Sequence, residues 1–381
     1  MRSFRFNRFA AVLAAILALP AISGWAQMAI ITNTPPHAIP RRASIIFIQC
    51  DGLGYGDLSC YGQTNYQTPS LDKLAAEGVR FTNYFASDSA SVTRASLMLG
   101  KDYSAARRDV PLAPAAVTIA QALRLAGYRT GYIGEWDLGD ANSLTAPWKK
   151  GFDEFVGFFN DQDAANFYPG QIFRYAPRTL ADPPEKAAHF VGYEELYQNT
   201  GGKQGTYLPG LYGQAAANFV KENVPDRFNR YRPFFLFVNY IIPGEHLRVP
   251  SDAPYSDEPW PQAEKNRAAF ISRIDDSIAQ LRQQLDKVQM TNNVLIFFSG
   301  GSIPHKTAEM DPDFFHSNLA TNDLHVPMIV HWPNHIPAGH VSGFNWEADD
   351  FLPTAAQIGY TPTINGIDGV SILPELGGRR Q

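Results

Sequence analysis

A recurrence of apolar runs of strand length limits this chain more than any other feature. SIIFIQ (44–49) is a continuous run, and the DGLGYGD after it supplies the glycines of a loop. YRTGYIG, PFFLFVNYII, NVLIFFS and VPMIVHWP read as further strands. A strand that is apolar on both sides must be covered on both sides, which is the situation of a parallel sheet between helices. The segments between the runs fit that cover. SLDKLAAEG reads as a short helix closed by Gly78, and VTIAQALRLAG as a second helix ending at Gly127. A long helix carries Ala268, Ile271, Ile274, Ile278, Leu281, Leu285 and Val288 every three or four residues, a stripe facing a sheet. The expected fold is a layered α/β sandwich with a largely parallel central sheet. Ligands of such sheets sit at the carboxyl ends of the strands. That rule gathers Cys50 and Asp51, Glu135 to Asp137, Gly244 to His246 and Gly300 to Ser302 into one region.

With 381 residues, 45% of them hydrophobic and 18% charged, the chain can bury a large core. A formal net charge of -5 with no long run of one sign argues against a nucleic-acid surface or a basic membrane patch. The first residues stand apart. MRSFRFNRF carries Arg2, Arg5 and Arg8, an apolar run with Pro20 follows, and SGWA puts small residues around Ala26. This is the layout of a secretory signal peptide, 1–26, with cleavage near Ala26 and export to the periplasm or medium; an uncleaved N-terminal anchor is the other reading. A Pro- and Thr-containing linker, 27–43, leads to the α/β domain, 44–376, and a tail, 377–381. A bond between Cys50 and Cys60, the only two cysteines, is not expected.

The blocks IIFIQCDGLGYGDLSCYG, TPSLDKLAAEGVRFTNYFA, RASLMLG, GYRTGYIGEWDLGD and VPMIVHWPNHIPAG, in this order, resemble the sulfatases of the alkaline phosphatase superfamily. DDFLPTAAQIG and DGVSILPEL extend the likeness, so that it runs from about Ile45 to Leu376. The resemblance implies a sulfatase-like sandwich, hydrolysis of sulfate esters by a cysteine-derived formylglycine, and a calcium or magnesium ion among basic residues. It also implies a small antiparallel C-terminal subdomain. The chain ends at Gln381, soon after Leu376, and the subdomain is expected to be absent, leaving the surface near DGVSILPEL and VPMIVHWP for another chain.

Against this pattern the chemistry is depleted. The nucleophile motif C-x-P-S-R matches ASVTR, which puts Ala90 at the nucleophile position and keeps Arg94. An alanine has no atom that can attack sulfur, and Ser89, Ser91 and Thr93 are out of register with the motif. The paired Asp of the first strand end reads Cys50, Asp51, and the SDNG turn reads Ser299, Gly300, Gly301, Ser302. Hard cations need several oxygen ligands, about six to eight for calcium, so no metal is expected to hold on Asp51. The family's GKWHLG is GEWDLG, with Glu135 and Asp137 for Lys and His; the His after Pro is Gly244, and the downstream Lys falls at His316. Two carboxylates ~5 Å apart at an effective dielectric near 20 repel by about 3 kcal/mol, which disfavours an anionic ester. A new transition-metal site from Cys50, Asp51, Glu135, Asp137, His246, His305 and His316 lacks any supporting spacing.

The expectation is therefore a non-catalytic, sulfatase-like module of the cell envelope, without catalytic residues or cofactor, bound to a protein partner or to itself. No nucleic acid is expected, and a membrane only through the N-terminal segment. The alternative is a divergent hydrolase of sulfate or phosphate esters using a rearranged site.

Overall fold

The computed structural model describes residues 42–87, 89–103, 112–160, 163, 166–176, 190–224, 232–243, 247–302 and 324–377. The signal and most of the linker, residues 378–381, and the positions Gly244, His246, His305 and His316 lie outside them.

Ten strands form one sheet. In chain order they are β1 (Ser44–Asp51), β2 (Val79–Phe85), β3 (Arg129–Glu135), β4 (Glu154–Phe158), β5 (Gln171–Ala176), β6 (Phe190–Glu195), β7 (Phe234–Ile241), β8 (Val294–Ser302), β9 (Met328–His331) and β10 (His340–Glu347). Across the sheet the order is β10-β2-β9-β8-β1-β7-β3-β4-β5-β6. The five central strands β8, β1, β7, β3 and β4 run parallel, and antiparallel pairs appear toward both margins. All eight residues of β1 and all nine of β8 are buried, as continuous apolar runs require.

Alternation along β1 feeds two cores. Ile45 and Phe47 face helices α2 (Ala90–Leu99), α3 (Ile119–Leu125) and α6 (Phe351–Gly359). Ile46, Ile48 and Cys50 face α1 (Pro69–Ala76), α4 (Leu208–Glu222) and α5 (Gln262–Lys287). The long helix carries the expected stripe, with Ala268, Ile271, Ile274, Ile278, Leu281 and Leu285 buried on its sheet side, but Val288 falls at the C-cap beyond its last turn and is only half-buried. The same helix holds α1 in place, because the Asp275 carboxylate accepts the N–H groups of Ser70 and Leu71 at 3.0 and 2.8 Å. It also fixes the turn after β1, where Arg267 donates to the carbonyl of Gly52 and to Asp57 at 2.7 and 2.6 Å.

Two expectations need correction. VPMIVHWP does not offer an open sheet edge: β9 lies between β8 and β2, antiparallel to both, and its four residues are buried. Nor does DGVSILPEL leave its surroundings bare. The N–H of Asp368 donates to the carbonyl of Gly100, that of Val370 to Asp350 and that of Ile372 to Thr354, and the side chains of Ile372 and Leu376 are buried in the α2 core.

Candidate functional site

The carboxyl ends of β1, β3, β7 and β8 meet the first turn of α2, which is where the sequence places its candidate residues. Ser89 caps α2 in an extended conformation, and its carbonyl accepts the N–H of Thr93 at 3.0 Å. The Thr93 hydroxyl accepts the N–H of Ser87 at 2.9 Å, while the hydroxyls of Ser89 and Ser91 lie 3.0 Å apart. Ala90 therefore opens the helix, and the Thr93 hydroxyl ties its start by also donating to the carbonyl of Ser89 at 3.2 Å, while the Ser89 side chain makes no capping bond.

One turn later Arg94 is fully buried. Its Nη2 donates to Asp51 Oδ2 and to Glu135 Oε2, both at 2.9 Å, and its Nη1 donates to the carbonyl of Trp136 at 2.8 Å. Burial works against the guanidinium charge, but Tyr132, Glu135, Asp51 and Asp137 together outweigh it and hold the group protonated. The structure thus brings Asp51, Arg94 and Glu135 into direct contact. Asp137, two residues beyond Glu135, takes a left-handed conformation with φ 50° and contributes to the field at Arg94.

Asp51 has further partners that sequence reasoning missed. Gln49 Nε2 donates to its Oδ1 at 2.6 Å, and Asn239 Nδ2 donates to its Oδ2 at 3.0 Å. Gln49, Asn239 and Ser299 are in register across β7, β1 and β8, and all are fully buried. The signal was present: each is the polar residue near the end of an otherwise apolar strand run.

Gly301 stands beside Asp51 and Gly300 pairs with Cys50, and a side chain at either position would meet occupied space. A Cβ at 301 would overlap Asp51 Oδ1 and Gln49 Nε2. A Cβ at 300 would stand 2.6 Å from the carbonyl oxygen of Leu53 and 2.7 Å from Val326 Cβ. Cys50 points to the other side of the sheet, among the apolar residues of the α5 core. Burial, and then the charge of Asp51, push its thiol pKa well up. Cys50 and Cys60 are not joined.

This donor set does not fit the divalent cation that the sequence resemblance implies. Both oxygens of Asp51 accept N–H groups, and the Arg94 guanidinium at 2.9 Å from Oδ2 already supplies the positive charge that a divalent ion would bring, although the buried oxygens Gln49 Oε1 and Asn239 Oδ1 beside it make no hydrogen bond among the described residues. Among the described residues no three His, Cys, Asp or Glu side chains are grouped as a metal site. No helix among those residues is long and apolar enough to cross a membrane.

Comparison with known proteins places this geometry in context. The family model described as Sulfatase matches residues 43–359. Human N-acetylgalactosamine-6-sulfatase is 28% identical over 368 residues, covering 88% of this chain and 66% of its own length. An arylsulfatase of Hemicentrotus pulcherrimus is 28% identical over 389 residues, covering 92% of this chain and 64% of its own. The chain thus spans about two thirds of the length of these relatives. A crystal structure of Ps i-CgsB in complex with k-i-k-neocarrahexaose superposes with a TM-score of 0.68 at 26% identity, over 87% of this chain and 76% of that one.

Proposed function

The chain belongs to the sulfatase family, and from that membership we propose that it keeps the family fold as a non-catalytic module of the cell envelope, held in a protein complex. The observation that carries this reading is the state of the site. Ala90 stands four residues before an Arg94 whose guanidinium is enclosed by Asp51 and Glu135, so the one retained basic group of the motif is spent inside the protein. An ester would have to displace two carboxylates to reach it. Burying such a charge without its partners is strongly unfavourable.

Catalysis of the family type needs a nucleophile, an electrophilic ion and basic groups for the leaving oxyanion. At the described positions the first is Ala90, the second meets an Asp51 with both oxygens bonded, and Glu135 and Asp137 add negative charge. The fold's framework meanwhile persists through all ten strands.

Kinship by itself favours the second reading, a divergent hydrolase of sulfate or phosphate esters, because the relatives bear the names of sulfatases. In that reading Asp51, Arg94 and the His residues would act by a rearranged route. Turnover of an aryl sulfate or aryl phosphate that is lost in Asp51→Ala would establish it. The binding role is tested by pull-down from the native envelope together with light scattering. A defined partner or a stable oligomer is expected, and a monodisperse monomer with no partner would contradict it.

A further inference from the structure

The space in front of Gly301 is occupied by the carboxylate of Asp51 and the amide of Gln49. Gln49 and Asp51 are two apart on β1 and so project from the same face, while Gly301 lies on the adjoining strand β8. The Gln49 amide reaches Asp51 Oδ1 at 2.6 Å, and the same nitrogen overlaps the position of a Cβ at 301. Asn239 and Arg94 complete the enclosure with three N–H donors in all on one carboxylate.

We propose that Gln49 closes this site: its amide fills the volume that a side chain at 301 would need, and protein N–H groups hold Asp51 where the family resemblance calls for a cation. A side chain at 301 would have to displace the ends of Gln49 and Asp51 and so break the hydrogen bond between them, and the strand ends owe their order to hydrogen bonds and the Arg94 ion pairs, independent of calcium or magnesium. The misfit to the family's cation is thus a built feature of the polar core, carried by a residue that lies outside the nucleophile and turn motifs. This rests on the non-catalytic reading for its motive but not for its test, which reads stability alone.

The test is a double-mutant cycle on the full chain, read by thermal unfolding with and without millimolar calcium chloride. Gly301→Asn is expected to lower the unfolding midpoint by about 3 °C or more. In the Gln49→Ala background the same change is expected to cost less than half as much, because part of the volume has been cleared. Wild-type protein is expected to show the same midpoint with calcium chloride and with chelator. Should Gly301→Asn fail to fold, Gly301→Ala enters the same cycle with a single added carbon. Equal cost of the 301 change in both backgrounds would overturn the pairing, and a calcium-dependent rise in the wild-type midpoint would overturn the closed site. A calcium effect without turnover removes this inference and leaves the non-catalytic reading, whereas turnover without a calcium effect does the reverse.

Discussion

Replacing Arg94 with methionine removes the cation while keeping much of the side-chain volume, and it isolates what the ion-pair triad contributes. Asp51 Oδ2 and Glu135 Oε2 each lie 2.9 Å from the same nitrogen, so with that nitrogen gone they face each other at no more than about 5.8 Å. At an effective dielectric near 20 their repulsion is about 3 kcal/mol. Removing one partner of a buried ion pair costs about 3–5 kcal/mol in general, and that range already contains such repulsion. Arg94→Met should therefore lose about 3–5 kcal/mol in urea unfolding at pH 7, with an unchanged slope if unfolding remains two-state. Adding Glu135→Gln to Arg94→Met should recover about 2 kcal/mol of this by removing one of the opposed charges. A loss below about 1 kcal/mol, or no recovery in the double variant, would refute the reasoning. Either result would mean that water or a ligand already screens these carboxylates and that the site is open.

Three further outcomes follow from other parts of the molecule. Phe47 is fully buried and packs against Phe237, Phe297 and Phe351 at ring separations of 5.2, 5.8 and 4.5 Å, so Phe47→Ala should cost about 3–5 kcal/mol in the same assay. Burial, then the charge of Asp350, raise Asp349 from 3.8 to about 6; the folded state holds its proton more tightly, and stability falls as pH rises through that window. Burial, then the charge of Arg282, lower His331 from 6.5 to about 4, so its contribution is present above pH 6.5 and is lost as pH falls toward 4. Urea midpoints between pH 4 and 7 should thus tilt in opposite directions in Asp349→Asn and His331→Gln, and a parallel shift of both profiles would contradict the assignments. Ala90→Cys, co-expressed with a formylglycine-generating enzyme, should yield no aryl sulfate hydrolysis, because the surrounding groups are also changed; measurable sulfatase activity would show that those changes are tolerated.

The central sheet was legible because its strands are buried on both sides. Such strands carry no polar alternation, and β1, β7 and β8 accordingly read as unbroken runs. The long helix was legible for the complementary reason, since one face meets the sheet and the other meets water. β2 and β4, which mix buried with half-buried residues, the antiparallel margin β5–β6 and the edge strand β10 were missed. Exposed positions of the margin and edge strands, such as Tyr193 and Val341, alternate with glycines and charged residues, and periodicity alone does not separate such sequence from loop. β9 was recognised as a strand but not its antiparallel place between β8 and β2, because pairing partners are set by tertiary contacts.

The site was legible at motif positions and blind between them. Asp51, Arg94 and Glu135 stand out because they can be aligned with family patterns, and the structure joins them. Gln49 lies in the first family block but at no position the motif gives a role, Asn239 lies in none of the quoted blocks, and only the register of β1 and β7 brings both to the same carboxylate. A lone polar residue in a buried strand needs a partner, so each could have been flagged as half of a pair. The identity of the other half required three dimensions.

The central claim, that the fold is kept without the chemistry, is tested most directly by the turnover of an aryl sulfate and an aryl phosphate by the purified protein, compared with its Asp51→Ala variant in millimolar calcium or magnesium chloride. The account predicts that both proteins are indistinguishable from the uncatalysed rate with either substrate. Saturable turnover by the unaltered chain that disappears in Asp51→Ala would contradict it and would identify the enclosed triad as the resting state of a working hydrolase.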